Sequence, residues 1–167
     1  MKSFIIIIVL ILFTVTCVIC QEYLYHYGTL IDSMDSADIH EEQSPSSDVI
    51  EEVKRKEYFL VLSSKDGWSH IITMSNISGY IAESYVNVKG KACGIASIDT
   101  GDDDLHTYIY MDDSVFSSAR ETVTDGDYVI VLDNSDGDGC NDTHIVMTKS
   151  GIKGYIDEKY VRPVSIK

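Results

Sequence analysis

Residues 151–161 read GIKGYIDEKYV, and residues 79–86 read GYIAESYV. Both stretches contain Gly-Tyr-Ile, three further residues with Glu in the middle, and then Tyr-Val. This pattern is typical of a strand that follows a turn and leads into a second short turn with a closing aromatic residue. Two copies of one ending in a chain of 167 residues indicate two copies of one folding unit.

The similarity extends towards the N-terminus of each copy. Unit two aligns with unit one at an offset of 70 residues, so that Tyr128 falls on Tyr58. An acidic insert then occupies residues 133–143 of unit two, and the Gly-Tyr-Ile ending beyond it has an offset of 75. We align His144-Ile145 with His70-Ile71 because the dipeptide is the same. The insert is therefore the main difference between the copies.

Short apolar runs separated by turn residues predict strands along both units. Residues 58–62 and 128–132 are rich in aromatic and β-branched side chains, which favour strands. Residues 23–31 alternate tyrosine with other residues and predict an N-terminal strand that packs on the first unit. Residues 49–53 also fit a helical spacing, but a segment of this length is too short to form a helix alone.

These runs predict an all-β fold of two small five-stranded barrels in tandem. The first unit, with its N-terminal strand, takes residues 21–89, and the second takes residues 90–167. Barrel closure would remove the exposed edges that so small a sheet otherwise presents. The side chains predicted to fill the two cores are Phe59, Val61, Ile71 and Ile81 in unit one and Val129, Val131, Ile145 and Ile156 in unit two.

Residues 1–20 have the layout of a secretory signal peptide. One lysine, Lys2, precedes an uncharged and mainly apolar block at residues 4–20, and Val18-Ile19-Cys20 before Gln21 fits a cleavage site. The alternative is an uncleaved anchor, because a block of 17 residues reaches the lower limit of about 17 for crossing a bilayer. We expect a secreted, extracellular protein, with membrane contact only if this segment is retained.

The formal net charge of −14 limits the classes of partner. Nucleic acids and anionic membranes bind clusters of lysine and arginine, so neither is expected here. An acidic chain is compatible with cations or basic partners, and a solvated acidic surface is the simpler interpretation.

Two cysteines and two asparagines carry the expected modifications. Cys17 and Cys20 lie in the signal segment, which leaves Cys93 and Cys140 as one expected disulfide or as two free thiols. The sequons at Asn76 and Asn141 become glycosylation sites if the protein passes through a eukaryotic secretory pathway.

The turns and closing strands of both units resemble those of bacterial-type SH3 (SH3b) domains. Unit two has the Gly126-Asp127 strand start, unit one has the turn at residues 66–68 (Asp-Gly-Trp), and both use Gly-Tyr-Ile where that family prefers Gly-Trp-Val. The family's Arg-Ser-Gly-Pro loop is absent from both units. The resemblance implies SH3-like barrels and binding of cell-wall peptides or similar extended ligands, often as targeting modules for hydrolases.

No catalytic constellation is found in the sequence. There is no Gly-x-Ser-x-Gly elbow, no His-Glu-x-x-His helix and no phosphate-binding glycine loop. Cys93 could form a Cys-His enzyme with a histidine elsewhere in the chain, but its flanking residues do not form the start of a helix that could lower its pKa. We therefore predict a protein that is not an enzyme.

The acidic insert resembles the beginning of a calcium-binding loop. Asn134, Asp136, Asp138 and Asp142 place oxygen atoms at suitable spacing, with Gly139 at the sixth position. Ile145 occupies the twelfth position, where a bidentate glutamate is needed. Glycine and aspartate are also common in turns, so an acidic hairpin loop without metal is the alternative. No cofactor is otherwise expected.

Aromatic residues near the turns form the candidate ligand groove. Small barrels of this type hold extended peptides along a strip of aromatic side chains, although tyrosines serve equally well in a core. We expect a secreted binder of an extracellular peptide, a cell-wall polymer or a secreted protein; the alternatives are a calcium-dependent acidic surface or matrix protein and a structural spacer. The candidate groove residues are Tyr58, Trp68, Tyr80 and Tyr85 in unit one and Tyr128, Tyr155 and Tyr160 in unit two.

Overall fold

The computed structural model describes residues 25–101, 106–112, 117–133 and 143–166. Within these ranges the chain is all-β, and its only helical segments are single 3-10 turns at Glu83–Tyr85 and Glu158–Tyr160. No helix in the described ranges is long and apolar enough to cross a membrane. The predicted signal segment lies outside these ranges.

Unit one forms a seven-stranded antiparallel sheet. Its spatial order is β3-β2-β6-β5-β4-β1-β7, so the first strand of the chain lies between β4 and β7. The strands are β1 (Tyr25–Leu30), β2 (Ser36–His40), β3 (Val49–Lys54), β4 (Phe59–Lys65), β5 (Trp68–Thr73), β6 (Ser78–Ala82) and β7 (Val86–Ala92).

Unit two repeats this topology strand for strand. Its order, β10-β9-β13-β12-β11-β8-β14, is that of unit one with every strand number raised by seven. The strands are β8 (Gly94–Ile98), β9 (His106–Tyr110), β10 (Ala119–Thr124), β11 (Tyr128–Asp133), β12 (Thr143–Met147), β13 (Lys153–Asp157) and β14 (Val161–Pro163). The internal repeat seen in the sequence is therefore a repeat of topology.

The prediction of two all-β units is confirmed, but the number of strands differs. Each sheet has seven strands instead of five, and no closed barrel is found among the described residues. The strands beyond five are β1 and β7 in unit one and β8 and β14 in unit two, and β1 is the N-terminal strand predicted at residues 23–31. Residues 49–53 belong to strand β3 and not to a helix.

Each sheet has its own core, to which almost every strand contributes one or two side chains. The unit-one core contains Leu30, Ala37, Ile39, Val53, Phe59, Val61, Ile71 and Ile81. Residues from β3, at one edge of the sheet, share this core with Val86 from β7, at the other. Side chains from both edge strands can share one core only if the sheet curves strongly, as small twisted sheets do.

The unit-two core corrects the alignment at strand β12. Val146 is fully buried in it together with Val129, Val131 and Ile156, whereas Ile145 lies on the opposite face. The burial pattern of β12 matches that of β5 when Ile71 is aligned with Val146. The prediction that Ile145 belongs to this core was wrong because the shared His-Ile dipeptide is out of register by one residue, and such a shift exchanges the two faces of a strand.

A third apolar cluster joins the two units and is called here the inter-unit cluster. Leu60 and Ile130 are equivalent positions, and both are fully buried in it. Strands β4 and β11 therefore bury both faces, which explains why their sequences are continuously apolar. The buried members of the cluster are Leu60, Ile72, Met74, Ala92, Ile95, Ile130, Leu132 and Met147.

The glycines of the repeated Gly-Tyr-Ile ending permit close contact between strands. A Cβ on Gly79 would lie 2.6 Å from a methyl carbon of Ile39 and 2.8 Å from the carbonyl oxygen of His40. A Cβ on Gly154 would collide in the same way with Ile109 and with the carbonyl oxygen of Tyr110. These glycines let β6 and β13 lie against β2 and β9, next to the surface described below.

Candidate functional site

A groove of about 560 Å³ lies on unit one, beside Trp68. Strand β5 supplies Trp68, and the 3-10 turn that follows β6 supplies Tyr85. Strands β2 and β3 and the loop between them form the opposite wall. The residues that complete the lining are Met34, Ser36, Ala37, Asp38, His40, Pro45, Glu52 and Ala82.

A tight hairpin turn and a histidine hold Trp68 in place. Asp66 and Gly67 link β4 to β5 with φ angles of 53° and 81°, which are the left-handed values of a two-residue hairpin turn. The His40 ring meets Trp68 edge-on, with 5.7 Å between the ring centroids. Nδ1 of His40 donates to the carbonyl oxygen of Ser47 at 3.2 Å. The indole is thus half-buried on a rigid strand, with part of it left open to the groove.

Two carboxylates lie side by side in one wall of this groove. Asp38 on β2 and Glu52 on β3 are directly opposed partners in the antiparallel ladder, and both are exposed. Neither forms a salt bridge within the described parts of the chain. Like charges at directly opposed positions destabilise a sheet, so this arrangement is unfavourable without a positive group nearby.

A second groove, of about 370 Å³, lies at the equivalent place on unit two. The repeat places Tyr160 where unit one has Tyr85, and Tyr110 where it has His40. Thr143 stands at the position of Trp68. The residues that line the second groove are His106, Thr107, Tyr108, Tyr110, Asp112, Thr143, Tyr155, Ile156, Asp157, Lys159 and Tyr160.

Strand β9 supplies the aromatic rings that replace the missing tryptophan. The His106 and Tyr108 rings meet edge-on with centroids 5.3 Å apart, and Tyr108 and Tyr110 lie 6.1 Å apart. At the other side Lys159 Nζ lies 2.7 Å from a carboxylate oxygen of Asp157 and 4.6 Å from the centre of the Tyr160 ring. The side-chain hydrogen bond to Asp157 raises the pKa of Lys159.

The structure distributes the seven predicted groove residues over four places. Trp68 and Tyr85 line the first groove, and Tyr155 and Tyr160 line the second. Tyr80 stacks on His70 with ring centroids 4.8 Å apart and lines neither groove. The other two predicted residues, Tyr58 and Tyr128, pack on the inter-unit cluster.

The groove residues that the sequence analysis did not identify come mainly from β2 and β9. His40 and Asp38 in unit one correspond to Tyr110 and Tyr108 in unit two. The alternation along these strands, with Ile39 and Ile109 buried between partly exposed neighbours, was the available signal. It shows which side chains share a face, but not which other strand lies opposite.

Two histidines outside the grooves have altered acidity. Burial lowers the pKa of His144, and the negative charge of Glu158 partly opposes this effect. His144 is only 3% exposed, and neither of its ring nitrogens has a hydrogen-bond partner within the described ranges. Burial also lowers the pKa of His70, whose Nε2 lies 2.8 Å from the hydroxyl of Ser78.

Several predicted sites lie wholly or partly outside the described residues. Asn134, Asp136, Asp138, Asp142 and the sequon residue Asn141 are all outside them. Asn76 is exposed in the β5–β6 turn, with φ of 59°. In the ranges that are described, no group of three or more His, Cys, Asp or Glu side chains could hold a metal ion.

Cys93 lies between β7 and β8, at the edge of the unit-two core, and is 8% exposed. Strand β8 follows it directly. Its sulfur lies 3.7 Å from the carbonyl oxygen of Leu132. Cys140, its predicted partner, lies outside the described residues, so the Cys93–Cys140 pairing stays a prediction.

Comparison with known proteins finds similar solved structures, among them two from Trichomonas vaginalis. No protein-family model and no curated protein matches the chain. NlpC1 from Trichomonas vaginalis matches 84% of this chain with 15% identity and a TM-score of 0.38, and NlpC2 from the same organism matches 86% with 14% identity and the same TM-score. The matched regions cover 46% and 49% of those chains, so this chain spans about half their length.

Proposed function

We propose that this chain is a secreted, non-catalytic binding protein that holds an extended peptide in the aromatic grooves of two SH3b-like units. The observation that carries the proposal is the position of the two grooves, which lie at the same place in the repeated fold. Both are walled by the second strand of their unit and by the 3-10 turn of the repeated ending. A groove present in both copies is more readily explained by binding than by chance packing.

The lining of the grooves suits a peptide. Trp68 and Tyr85 offer large rings that bury apolar area without many rotatable bonds, and Tyr108, Tyr110 and Tyr160 do the same in unit two. Polar groups that could orient a ligand stand next to these rings, as they do in ligand pockets generally. The resemblance to SH3b domains points to cell-wall peptides as the class to examine first.

The surroundings of Cys93 support a role without catalysis. A cysteine nucleophile must be available as a thiolate and open to its substrate, and Cys93 is buried at the edge of the unit-two core. In the groove of unit one, the described lining contains one histidine, whose Nδ1 is engaged by the backbone of Ser47. This leaves the aromatic rings and carboxylates as binding groups.

A pull-down with insoluble peptidoglycan tests the proposal. The wild-type chain is compared with Trp68→Ala, with Tyr110→Ala, and with the double variant of the two. We expect the fraction of protein retained on peptidoglycan to fall in each single variant, because each removes a ring from one groove. In the double variant most of the retention should be lost.

Val88→Ala is the matched control, since Val88 is 51% exposed on β7 and lines neither groove. It should be retained like the wild type. The proposal fails if the double variant, shown by its circular dichroism to be folded, is retained as well as the wild-type chain.

A further inference from the structure

We propose that the groove of unit one binds a positively charged side chain, lysine or arginine, of an extended peptide, with the charge beside Asp38 and Glu52 and the stem against Trp68. The inference rests on the proposed function and adds the chemistry of the ligand. It concerns unit one alone, because the two grooves differ at these positions.

The groove of unit one carries negative charge. Asp38 and Glu52 are opposed partners on neighbouring strands, both line the groove, and no salt bridge neutralises them within the described residues. No lysine or arginine is found among the described lining residues. Arg55, which follows β3, is held by Asp35 at 2.9 Å and by the carbonyl oxygen of Met34 at 2.9 Å. A ligand cation would therefore supply the missing positive charge.

The indole of Trp68 lines the same groove. A lysine or arginine side chain has an apolar stem and a charged end, and tryptophan is the aromatic residue that attracts such a cation most strongly. Trp68 and Tyr85 lie in the groove with the two carboxylates, so one side chain could contact both kinds of group. Its stem would be buried while its charge is paired.

The grooves of the two units differ in their charged residues. The positions equivalent to Asp38 and Glu52 are Tyr108 and Thr122, which are also opposed partners in their ladder. The second groove therefore lacks the opposed carboxylates, and it carries a lysine, Lys159, that is paired with Asp157. The repeat has kept the groove but changed its charge, which indicates different ligand groups at the two sites.

A metal ion fits the groove of unit one less well. Calcium takes about six to eight oxygen ligands, and the described residues hold no group of three or more metal-ligating side chains. The volume of about 560 Å³ is also far larger than a single ion requires. An organic cation attached to a peptide fills this space and uses the aromatic wall.

Fluorescence gives a direct test, because Trp68 is the only tryptophan in the chain. The purified chain is titrated at about 50 mM salt, where screening is weak, with tetralysine acetylated at its N-terminus and amidated at its C-terminus. The same peptide with every lysine acetylated at Nζ serves as the neutral probe. We expect the emission of Trp68 to change with tetralysine, and the affinity for the neutral probe to be about tenfold lower.

Two double variants separate the groove from the general acidity of the protein. Asp38→Asn with Glu52→Gln should lower the affinity for tetralysine about tenfold. Asp32→Asn with Asp127→Asn removes the same charge from two exposed positions that do not line this groove, and should leave the affinity unchanged. Equal losses in the two double variants would overturn the inference in favour of non-specific attraction.

Three other results would also contradict the inference, each in a different way. Equal affinity for the charged and neutral peptides would leave the groove as a peptide site but remove the cation. A change of Trp68 emission with calcium chloride that the Asp38→Asn and Glu52→Gln variant abolishes would assign the carboxylates to a metal ion. No response to either peptide, together with normal retention on peptidoglycan that depends on Trp68, would overturn the cation site and leave the proposed function standing.

Discussion

The ring of Tyr58 lies directly against Gly151, so that a Cβ on Gly151 would come within 2.5 Å of ring atom Cε2. The amide of Tyr58 donates to the carbonyl oxygen of Lys149 at 3.3 Å, and Lys149 Nζ lies 3.3 Å from Glu57. The β12–β13 turn of unit two therefore contacts the start of β4 in unit one. Together with the inter-unit cluster, this contact makes the two units depend on each other for stability.

Gly151→Ala should destabilise the protein by about 1.5–4 kcal/mol. The glycine has φ of 86°, where a side chain costs about 1–2 kcal/mol, and the smaller freedom of alanine in the unfolded chain offsets part of this, which leaves about 0.5–1 kcal/mol. Overlap with the Tyr58 ring adds about 1–3 kcal/mol, as is usual when a larger group enters a packed site. Urea denaturation measures the loss.

Gly126→Ala is the matched control for that variant. Gly126 has nearly the same φ, 82°, but a Cβ there would meet no atom within 4 Å. The control should therefore lose only the conformational part, about 0.5–1 kcal/mol. Equal losses of unfolding free energy in the two variants would show that the Tyr58 ring moves aside without destabilising the protein. The second variant Tyr58→Leu, combined with Gly151→Ala, should restore part of the difference.

The repeated ending made much of this fold predictable. Gly-Tyr-Ile and Tyr-Val located β6 and β13 and the short turns that follow them, because close strand contacts at Gly79 and Gly154 require glycine. Apolar runs located β4 and β11. Local sequence specifies these elements because the two glycines leave room for the neighbouring strand and the apolar runs mark strands that are buried on both faces.

The strands β8 and β14 and the inter-unit cluster were not predictable in the same way. Leu60 and Ile95 lie in a contact between distant parts of the chain. The sequence around each residue shows that it is apolar, but not which surface of the other unit buries it. The groove residues were identified only in part for the same reason. Asp38 and Glu52 meet because β2 pairs with β3 in one register, and a shift by one residue would place them on opposite faces.

Lys56→Gly should stabilise the protein by about 0.5–1 kcal/mol. Lys56 has φ of 70°, a left-handed conformation that costs a side chain about 1–2 kcal/mol, and the greater freedom of glycine in the unfolded chain offsets part of the gain. Unit two already has glycine at this position, Gly126, in the same conformation. Thermal denaturation measures the change.

Lys54→Gly is the comparison for the Lys56 variant. Lys54 is an exposed residue at the end of strand β3, where glycine weakens the strand. This variant should lower the melting temperature while Lys56→Gly raises it. If both variants lower it, the left-handed conformation at Lys56 carries no strain that glycine relieves.

Asp38→Asn should stabilise the free protein by about 0.2–1 kcal/mol, since it removes one of two like charges at directly opposed positions. Glu52→Gln should have a similar effect, and the double variant should gain little beyond one single change, because either substitution ends the repulsion. Denaturation at low and high salt tests this, with a smaller gain expected at high salt. Destabilisation by either change would mean that the carboxylates are favourably paired in the free protein.

Acid should destabilise the protein through His144. Burial lowers its pKa in the folded state below the ordinary value of 6.5, so below pH 6.5 the unfolded chain binds more protons than the folded one. Stability that is fully present above pH 6.5 is then lost as the pH falls towards the folded-state pKa. His144→Ser, which introduces the residue that unit one has at the equivalent position, Ser69, should flatten this dependence whatever its effect on stability at neutral pH.

Glu158→Gln should act in the opposite direction. The negative charge of Glu158 raises the pKa of His144 against the effect of burial, so its removal lowers that pKa further and widens the pH range over which stability is lost. Melting temperatures at intervals from pH 5 to pH 8, bracketing the ordinary histidine pKa of about 6.5, measure the slope for all three proteins. An unchanged slope in His144→Ser would assign the acid sensitivity to another group, and an unchanged slope in Glu158→Gln would show that its charge does not reach the buried ring.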